Sequence, residues 1–425
     1  LNELQREAVH QIMAGSRGPL PYVVWGPPGT GKTVTLVEAI LQVFLNIKHS
    51  RVIACAPSNS AADLLTEKLW ASGKLVSSDI VRLLGFQRDV DAVPPTIRHL
   101  CMNTGAVKKA ARHRILVSTV ITAGSLYSLG LPPDHFTHGF LDEAGQATEP
   151  ETLVVMGLVC LAGGNLILGG DPMQLGPVVR SRLAIKGGLG ESLLHRLLLG
   201  CGSCSGDPTP PPLPFTRLKN SYRCVQPLLE PYSRLFYDNQ LLSCVGNRDR
   251  WNLPDFPVFF HGVRGCAQRE GSCPSWFNPS EVVQVTRYLQ RALGPWGLLP
   301  EQVGVVTPYR KQAQKLRCLM DSLDLPHCKL GSAEEFQGQE RSLIIVSTVR
   351  GSEAMCGDGG GRSLDFIFCP RRFNVAISRA SSMLVVVGNP DVLALDANWR
   401  SLMDYCSAHQ TCYGLTAAVA VPLPH

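Results

Sequence analysis

Residues 26–33 form a stretch whose residue types and spacing are suited to binding phosphate. The eight residues are Gly26, Pro27, Pro28, Gly29, Thr30, Gly31, Lys32 and Thr33. Gly29 and Gly31 carry no Cβ and can adopt positive φ angles, so the backbone N–H groups can curl around phosphate oxygens. Lys32 would reach the β- and γ-phosphates, and the hydroxyl of Thr33 would take one position on an octahedral Mg²⁺.

The residues on either side of this loop predict the elements that hold it. The apolar run Tyr22–Trp25 predicts a short buried strand, and Val34–Phe44 predicts a helix. The positive end of that helix dipole would face the phosphates. A strand, a phosphate loop and a helix in this order predict a nucleoside triphosphate site. The alternative is a surface turn that happens to be rich in glycine and proline.

Three polar residues further along the chain could complete hydrolytic chemistry. Asp142 and Glu143 follow an apolar run, at the strand end where α/β sheets place ligands. Asp142 would hold Mg²⁺, and Glu143 would polarise the attacking water. Two acids that cap a helix are the alternative. Gln174, in an Asp-Pro-Met-Gln turn, can both donate and accept and would contact the γ-phosphate, although an ordinary turn explains it equally well.

Two arginines in the second half of the chain could neutralise charge that develops during phosphoryl transfer. Arg223 lies in Ser-Tyr-Arg, and Arg379 lies near the end of residues 371–380. An arginine in that role is worth roughly 10³–10⁵ in rate. Solvated or salt-bridged arginines are the alternative. If both come from a different domain than Lys32, hydrolysis would require domain closure.

Short apolar runs alternate with amphipathic stretches, which predicts an α/β fold built on parallel sheets. The predicted strands are Tyr22–Trp25, Arg51–Ala56, Arg114–Ser118, His138–Leu141, Asn165–Gly169, Pro257–Val263, Val303–Thr307, Ser342–Val349 and Met383–Gly388. The further predicted helices are Ser60–Trp70, Ser280–Leu293 and Arg310–Leu323. Residues 87–111 lack strand character and predict a surface excursion, and the glycine-rich residues 351–362 predict a flexible loop.

The length of 425 residues exceeds what one core usually covers and predicts two domains. We place the first at residues 1–205 and the second at 215–425, on either side of a proline-rich linker or exposed loop at 206–214. The first residue is Leu1 rather than Met, so we expect a fragment.

Composition narrows the class of protein. Hydrophobic residues make up 45% and charged residues 17%, which indicates a globular chain, and the net charge of +6 only mildly favours a polyanionic partner. The 15 cysteines predict free thiols in a reducing compartment, with a zinc or redox site at Cys201 and Cys204 as the alternative. No apolar run is long enough to span a membrane.

Taken in order, the motifs resemble superfamily 1 helicases of the up-frameshift-like group, in the branch of the Moloney leukaemia virus ten protein, its germline paralogue and Armitage. The segments that carry the resemblance are Leu1–Gln5, Gly26–Thr33, Ala56–Ser60, Ser118–Thr119, Asp142–Gly145, Gly170–Pro177, Tyr222–Arg223, Thr307–Arg310, Glu335–Glu340 and Arg372–Ala380. The phrases His261–Arg264 and Ser275–Pro279 are similar to the germline paralogue in particular.

The resemblance implies two tandem RecA-like domains that hold ATP and Mg²⁺ between them and bind single-stranded RNA. Its nucleotide contacts would fall on Gln5 at the adenine edge, Tyr222 stacked on the base, and Glu340 near the ribose, with Gly338 beside it. Its strand contacts match Ser58, Asn59, Thr119, Pro308 and Tyr309. For Ser58 and Asn59 a helix N-cap is the alternative, and both roles are compatible.

Two stretches depart from the family pattern. The family usually reads Asn-Tyr-Arg-Ser-His-Pro, whereas residues 221–226 read Ser-Tyr-Arg-Cys-Val-Gln, so the His-Pro turn behind Arg223 is lost. The branch commonly carries a basic residue after Ala380, where this chain has Ser381 and Ser382. The accessory RNA-gripping barrel of family members would precede Leu1.

By resemblance we predict an ATP-dependent RNA helicase or translocase that moves 5′ to 3′. The resemblance further implies a role in RNA silencing beside Argonaute-type proteins, a cytoplasmic location or ribonucleoprotein granules, and a monomeric core. A DNA helicase of the same superfamily is one alternative, since phosphate and sugar contacts distinguish RNA only through 2′-hydroxyls. An ATP-gated RNA clamp or scaffold without processive unwinding is the other.

Overall fold

A computed structural model describes residues 1–15, 20–199, 213–246, 253–271, 273–351, 368–415 and 420–421. The chain divides into two compact units. The first comprises Leu1–Pro172 and Gly176–Lys219, and the second comprises Met173–Leu175 and Asn220–His425.

Within the described residues, the α-helices are α1 Glu3–Ala14, α2 Lys32–Asn46, α3 Asn59–Ala71, α4 Val107–Ala110, α5 Val120–Ala123, α6 Glu149–Val159, α7 Arg182–Lys186, α8 Leu193–Leu199, α9 Gln226–Phe236, α10 Pro279–Leu293, α11 Arg310–Ser322, α12 Pro370–Ile377, α13 Pro390–Leu393 and α14 Ala397–Ala408.

The β-strands are β1 Tyr22–Trp25, β2 Val52–Ala56, β3 Ile80–Leu84, β4 Cys101–Asn103, β5 Ile115–Thr119, β6 His138–Leu141, β7 Asn165–Gly170, β8 Phe215–Arg217, β9 Asn220–Ser221, β10 Leu242–Ser243, β11 Val258–Gly262, β12 Val303–Val306, β13 Lys329–Gly331, β14 Arg341–Ser347, β15 Ala380–Gly388, β16 Cys412–Leu415 and β17 Ala420–Val421.

The first unit is built on an eight-stranded sheet in the order β4-β3-β5-β2-β6-β7-β1-β8. Every pairing in it is parallel. Both faces are covered, as parallel sheets require. Val24 and Phe140 belong to the core on one face, and their neighbours Val23 and Leu141 belong to the core on the other. Because all strands run the same way, the loops after β1, β6 and β7 meet at one edge.

The second unit contains a seven-stranded sheet in the order β13-β12-β14-β15-β11-β16-β17. Its pairings are parallel except the last, in which β17 runs antiparallel to β16. Alternate residues again supply opposite cores: Ile344 and Val386 pack on one face, and Ile345 and Val387 on the other. A separate short parallel pair joins β9 and β10. Two mainly parallel sheets flanked by helices confirm the predicted fold class.

The predicted strands all form, with bounds that differ from the predicted ones by at most three residues. The prediction of a surface excursion without strands at residues 87–111 is wrong. It contains β4, which pairs with β3 at the sheet edge, and buried Ile97 and Leu100 pack into the core of the first unit. β3 was not predicted either, although that strand is fully buried.

Two segments fall on the other side of the predicted domain boundaries. Phe215–Arg217 was assigned to the second domain, but this strand pairs with β1 and so groups with the first unit. Gln174 was assigned to the first domain and groups with the second. The predicted linker at 206–214, apart from Leu213 and Pro214, lies outside the described residues, as do Cys201, Cys204 and all but the first residue of the predicted flexible loop at 351–362.

Candidate active site

The phosphate loop lies between β1 and α2, as its sequence predicts. Gly31 begins the helix with φ of 77°, a left-handed conformation that favours glycine. The N–H of Gly26 donates to the carbonyl of Gly170 at 2.9 Å, which ties the loop to the end of β7. A Cβ on Gly26 would lie 2.5 Å from Cβ of Lys32, so only glycine allows this close approach. Within the loop, the Thr30 hydroxyl donates to the carbonyl of Pro27 at 2.8 Å.

Lys32 is held between the two predicted carboxylates. Its Nζ lies 2.5 Å from Oδ1 of Asp142 and 2.8 Å from Oε1 of Glu143. The hydroxyl of Thr33 donates to the other oxygen of Asp142 at 2.8 Å. The structure therefore brings together two pairs of neighbouring residues, and the pairs are 110 positions apart in the sequence.

Burial and charge act in opposite directions on the ammonium of Lys32. Burial lowers its pKa, but the negative charges and hydrogen bonds of Asp142 and Glu143 outweigh burial and raise the pKa above its ordinary value. The cation is therefore retained at neutral pH. Asp142 is itself buried, so each charge of this pair is compensated where water is largely excluded.

Glu143 adopts φ of 54°, which is uncommon for a residue with a side chain. Its other carboxylate oxygen accepts a hydrogen bond from Nε2 of Gln146 at 2.9 Å. Its backbone N–H donates to Oδ1 of Asp142 at 2.8 Å. These contacts orient the carboxylate that the sequence assigns to the attacking water.

Gln5 lies against the phosphate loop. Its Nε2 donates to the carbonyl of Thr30 at 3.1 Å, and its Oε1 accepts from the N–H of Asn2 at 3.0 Å. Asn2 in turn accepts from the N–H of Gln5, which completes a capping box at the start of α1. The side chain predicted to contact adenine thus also fixes the first helix beside the loop.

In the second unit, Gln174 and Arg379 are hydrogen-bonded. Nη2 of Arg379 donates to Oε1 of Gln174 at 3.0 Å, and Nε donates to the carbonyl of Val375 at 3.2 Å. Asn374 anchors the same segment, because its Nδ2 donates to the carbonyl of Met173 at 2.9 Å. These contacts explain why Met173–Leu175 groups with the second unit.

Arg223 forms a second arginine site in this unit. Its Nε donates to Oε2 of Glu340 at 2.6 Å, and its Nη1 donates to the carbonyl of Ser378 at 2.8 Å. Because Ser378 precedes Arg379, the guanidinium of Arg223 contacts the backbone directly beside the other predicted catalytic arginine. Tyr222, next to Arg223, is half-exposed, and Gly338, two residues before Glu340, has φ of 72°.

The predicted strand-contacting residues lie where parallel strands end. Ser58 caps α3 by accepting from the N–H of Ala61, and Thr119 caps α5 by accepting from the N–H of Thr122. Asn59 accepts from Nη2 of Arg82 at 3.0 Å. In the second unit, residues 308 and 309 follow β12, and Tyr309 is the N-cap residue of α11.

The residues present fit a magnesium ion. The hydroxyl of Thr33 and the carboxylate of Asp142 are adjacent oxygen donors, and Mg²⁺ is commonly held by one or two such groups together with phosphates and water. Across the described part of the chain, no three or more His, Cys, Asp and Glu side chains cluster as a site for a metal ion.

Comparisons with known proteins match nearly the whole chain. Two family models, each described as an AAA domain, match residues 1–113 and 107–182, and residues 189–391. "RNA helicase Mov10l1" of Homo sapiens is 44% identical over 95% of this chain and 35% of that protein. "Probable RNA helicase armi" of Drosophila melanogaster is 38% identical over 97% of this chain and 39% of that protein. "Regulator of nonsense transcripts 1 homolog" of Drosophila melanogaster is 32% identical over 95% of this chain and 36% of that protein.

The chain belongs to the up-frameshift-like superfamily 1 helicases. The predicted family is thereby confirmed, and the first two relatives place this helicase core in the predicted branch. The core spans between 35% and 39% of the length of these three relatives.

The helicase core departs from its family behind Arg223, and the structure shows what stands there instead. Cys224 is buried, and its thiol lies 3.2 Å from the hydroxyl of Tyr232 on α9. Burial raises the pKa of the Cys224 thiol, so it remains protonated and acts as a small apolar group. Val225 then occupies the N-cap position of α9 without a side-chain hydrogen bond to the helix. Arg223 is thus positioned by Glu340 and Ser378 rather than by a His-Pro turn.

Sequence reasoning missed several residues of the helicase core that support these clusters. Asn374 was not singled out, although a buried asparagine among the apolar residues of α12 is an unusual choice. Asp171, which accepts from Nε1 of Trp25 at 3.2 Å, directly follows β7 and could have been noticed for that reason. Asp63 and Arg82 form a buried ion pair at 2.8 Å, which two charged residues in apolar surroundings could have indicated.

Among the described residues, no helix is both long and apolar enough to cross a membrane. The cysteines that the structure describes are free thiols.

Proposed function

We propose that this chain is the motor core of an ATP-dependent RNA helicase or translocase. The observation that carries the proposal is the cluster in which Lys32 contacts Asp142 and Glu143 while Thr33 contacts Asp142. A phosphate loop joined to a carboxylate pair in this way serves the binding and hydrolysis of a nucleoside triphosphate.

Each residue of the first cluster has a role in this proposal. Lys32 exchanges carboxylate contacts for contacts with the β- and γ-phosphates when ATP binds. Thr33 and Asp142 hold Mg²⁺, which supplies charge neutralisation on the phosphates when bound. Glu143, freed from Lys32, orients the attacking water and accepts its proton. The backbone of residues 26–31 donates to the phosphate oxygens, and Gln5 contacts the adenine edge through its remaining amide donor.

The second unit supplies the remaining groups. Arg379 and Arg223 neutralise charge on the transferred phosphoryl group, and Gln174 contacts the γ-phosphate. The hydrogen bond between Arg379 and Gln174 supports their assignment to one site. Tyr222 stacks on the base and Glu340 lies near the ribose, as the family resemblance implies.

We propose RNA as the bound strand because two relatives that match 95% or more of this chain are named RNA helicases. Ser58, Asn59 and Thr119 in the first unit, and Pro308 and Tyr309 in the second, contact phosphate and sugar, which makes binding tolerant of sequence. By resemblance, the motor moves 5′ to 3′ and works in RNA silencing, in the cytoplasm or ribonucleoprotein granules, beside Argonaute-type proteins and as a monomer.

ATP hydrolysis with RNA, with a DNA of the same sequence and length, and with neither tests the substrate. We expect RNA to stimulate the release of phosphate more strongly than DNA. Stronger stimulation by DNA would favour a DNA helicase. Hydrolysis that neither strand stimulates would contradict the assignment as a nucleic-acid motor, and the absence of any hydrolysis would contradict the assignment as an ATPase.

Displacement of a labelled strand from an RNA duplex tests the motor itself. Duplexes with a single-stranded tail on the 5′ side or on the 3′ side distinguish direction, and we expect displacement only with the 5′ tail. Stimulated hydrolysis with no displacement from either substrate would favour the ATP-gated clamp.

A further inference from the structure

An open pocket of about 570 Å³ lies at the edge of the first unit where β2, β3 and β5 end. The three strands are neighbours in the sheet, in the order β3-β5-β2, so the loops that follow them lie side by side. The residues that line the pocket are Asn59, Gly85, Phe86, Gln87, Arg88 and Thr122. Asn59 follows β2 and is itself a proposed RNA contact. Thr122 follows β5 and lies three residues after Thr119, another proposed RNA contact.

Phe86 is the apolar group of this pocket, and it is 91% exposed. A single exposed apolar residue on a flat surface requires no explanation. Phe86 differs because it lies two residues after the end of the buried strand β3 and lines a pocket with polar side chains. Gly85 allows this arrangement, since a Cβ at that position would lie only 3.2 Å from the hydroxyl oxygen of Thr122. An aromatic face is thus presented to solvent beside hydrogen-bonding groups.

Positive charge lies behind the pocket. The buried Asp63 accepts from Nε of Arg82 at 2.8 Å and from Nη2 of Arg88 at 3.1 Å, so two guanidinium groups share one carboxylate. The net charge of these three side chains is therefore positive. Asp89, the next residue, caps a short helical turn by accepting from the N–H of Asp91 and does not line the pocket. Arg88 is the charged residue of the pocket lining, so its guanidinium can attract the phosphates of a bound strand.

Asn59 is oriented by the same ion pair. Its Oδ1 accepts from Nη2 of Arg82, and its Nδ2 has no hydrogen-bond partner within the residues that the structure describes. The amide therefore offers a donor at the pocket that an acceptor on a nucleotide could satisfy.

We propose that Phe86 is a stacking platform for one base of the bound RNA strand, with Asn59 donating to the same nucleotide. The inference deepens the proposed function and depends on it, because it adds a base-binding position to the strand-contacting edge. Aromatic rings in single-strand channels stack on bases of any type, which matches a motor that moves along varied sequence. An apolar peptide segment is a poorer occupant, because Asn59, Gln87, Arg88 and Thr122 surround a single apolar ring.

The test measures the affinity of the full chain for a fluorescein-labelled 12-nucleotide oligouridine by anisotropy. We expect Phe86→Ala and Phe86→Leu to raise Kd by about 5- to 100-fold, and Phe86→Trp to retain wild-type affinity. Leucine is apolar but has no aromatic face, so it separates stacking from apolar contact. The slope of log Kd against log salt concentration is expected to stay unchanged, because no phosphate contact is removed.

Leu161→Ala provides the matched control. Leu161 is 75% exposed and lies before β7, at the opposite edge of the same sheet. We expect its substitution to leave the RNA affinity unchanged. Thermal melting of each Phe86 variant checks folding, which we expect to be unaffected because the ring is exposed.

A second measurement uses oligouridines that carry one abasic site, moved along the strand. At one position, loss of the base is expected to weaken binding to the wild type but not to Phe86→Ala, because the stacking partner is already gone. If RNA binds to the wild type and to Phe86→Ala and Phe86→Leu equally well, the stacking role is overturned and the proposed function stands. If the wild type binds no RNA, both proposals fail together.

Discussion

Nη2 of Arg379 donates a 3.0 Å hydrogen bond to Oε1 of Gln174, across 205 positions of sequence. Gln174 follows β7 of the first unit, yet its segment is anchored in the second unit through Asn374 and Gln337, which donate to the carbonyls of Met173 and Leu175. The glutamine and the arginine therefore act as one hydrogen-bonded pair, and a change in either alters the orientation of the other.

Arg379→Ala is expected to slow ATP hydrolysis by about 10³-fold or more while ATP binding stays near normal, because the arginine neutralises charge that develops only in the transition state. Phosphate release measures hydrolysis, and titration with a fluorescent ATP analogue measures binding. Arg400→Ala is the control, since Arg400 is exposed and its guanidinium donates, among the residues that the structure describes, only to the carbonyl of Ala394. Unchanged turnover in Arg379→Ala would remove this residue from the site.

The pairing itself is tested by combining Arg379→Ala with Gln174→Ala. For two residues in direct contact, we expect the double variant to lose less than the sum of the single losses, by about 0.5–3 kcal/mol in activation free energy. Strict additivity would show that the two side chains contribute independently to hydrolysis.

Lys32→Ala and Glu143→Gln are expected to fail in different ways. Loss of the Lys32 ammonium removes a charge-assisted contact with phosphate, so the affinity for ATP should fall roughly 10- to 100-fold. Glu143→Gln keeps the lysine and should bind ATP while turnover falls by about 10²–10⁴-fold, because only the base is lost. Titration with the fluorescent ATP analogue and single-turnover hydrolysis separate the two effects. An equal loss of ATP affinity in both variants would contradict these roles.

The sequence was informative where local rules dominate. Buried parallel strands are nearly continuous apolar runs, so β1 and β6 were predicted to the residue. The loop at residues 26–33 follows from glycine chemistry and spacing. By contrast, β4 and β8 are three-residue strands at the two sheet edges, and short edge strands carry little apolar signal.

Pairings over long separations could not be predicted from residue types alone. Arg223 and Glu340 were each singled out, but their 2.6 Å hydrogen bond joins residues 117 positions apart. Gln174 was placed with the strand that precedes it, whereas hydrogen bonds from the second unit decide where it groups. No sequence pattern marks Phe86, because its exposure depends on how the loops after β2, β3 and β5 come together on folding.

Arg82→Leu is expected to destabilise the first unit by about 3 kcal/mol, because it leaves Asp63 buried with only Arg88 as its partner. Thermal melting followed by circular dichroism measures the loss. Adding Asp63→Leu should recover part of the stability, since no unpaired buried charge then remains. The matched control is Arg98→Ala, whose pairing with the exposed Asp91 at 3.5 Å should contribute at most about 1 kcal/mol. Equal effects of the two arginine substitutions would contradict a special role for burial.

Glu281 is expected to make the stability of the second unit depend on pH. The carboxylate is fully buried and accepts from the hydroxyl of Ser347 at 2.7 Å and from the N–H of Val349 at 2.9 Å. Val349 has φ of 72°, a strained conformation for a β-branched residue, and its N–H bond to Glu281 helps to hold it there. Burial raises the pKa of Glu281 from 4.5 to about 8, against the lowering effect of the hydrogen bonds from Ser347 and Val349.

Between about pH 4.5 and pH 8, the folded state therefore binds one proton more than the unfolded state at this residue. The stability that protonation contributes is complete below pH 4.5 and is lost as the pH rises to about 8, by up to about 1.4 kcal/mol per pH unit. Glu281→Gln stays neutral, so the difference in free energy of unfolding between wild type and variant should shrink from pH 5 to pH 8 and level off above it. Denaturant unfolding at several pH values measures that difference, with Glu301→Gln on the surface as the control for removal of a carboxylate. A difference that stays constant across this range would show that Glu281 is ionised in the folded protein.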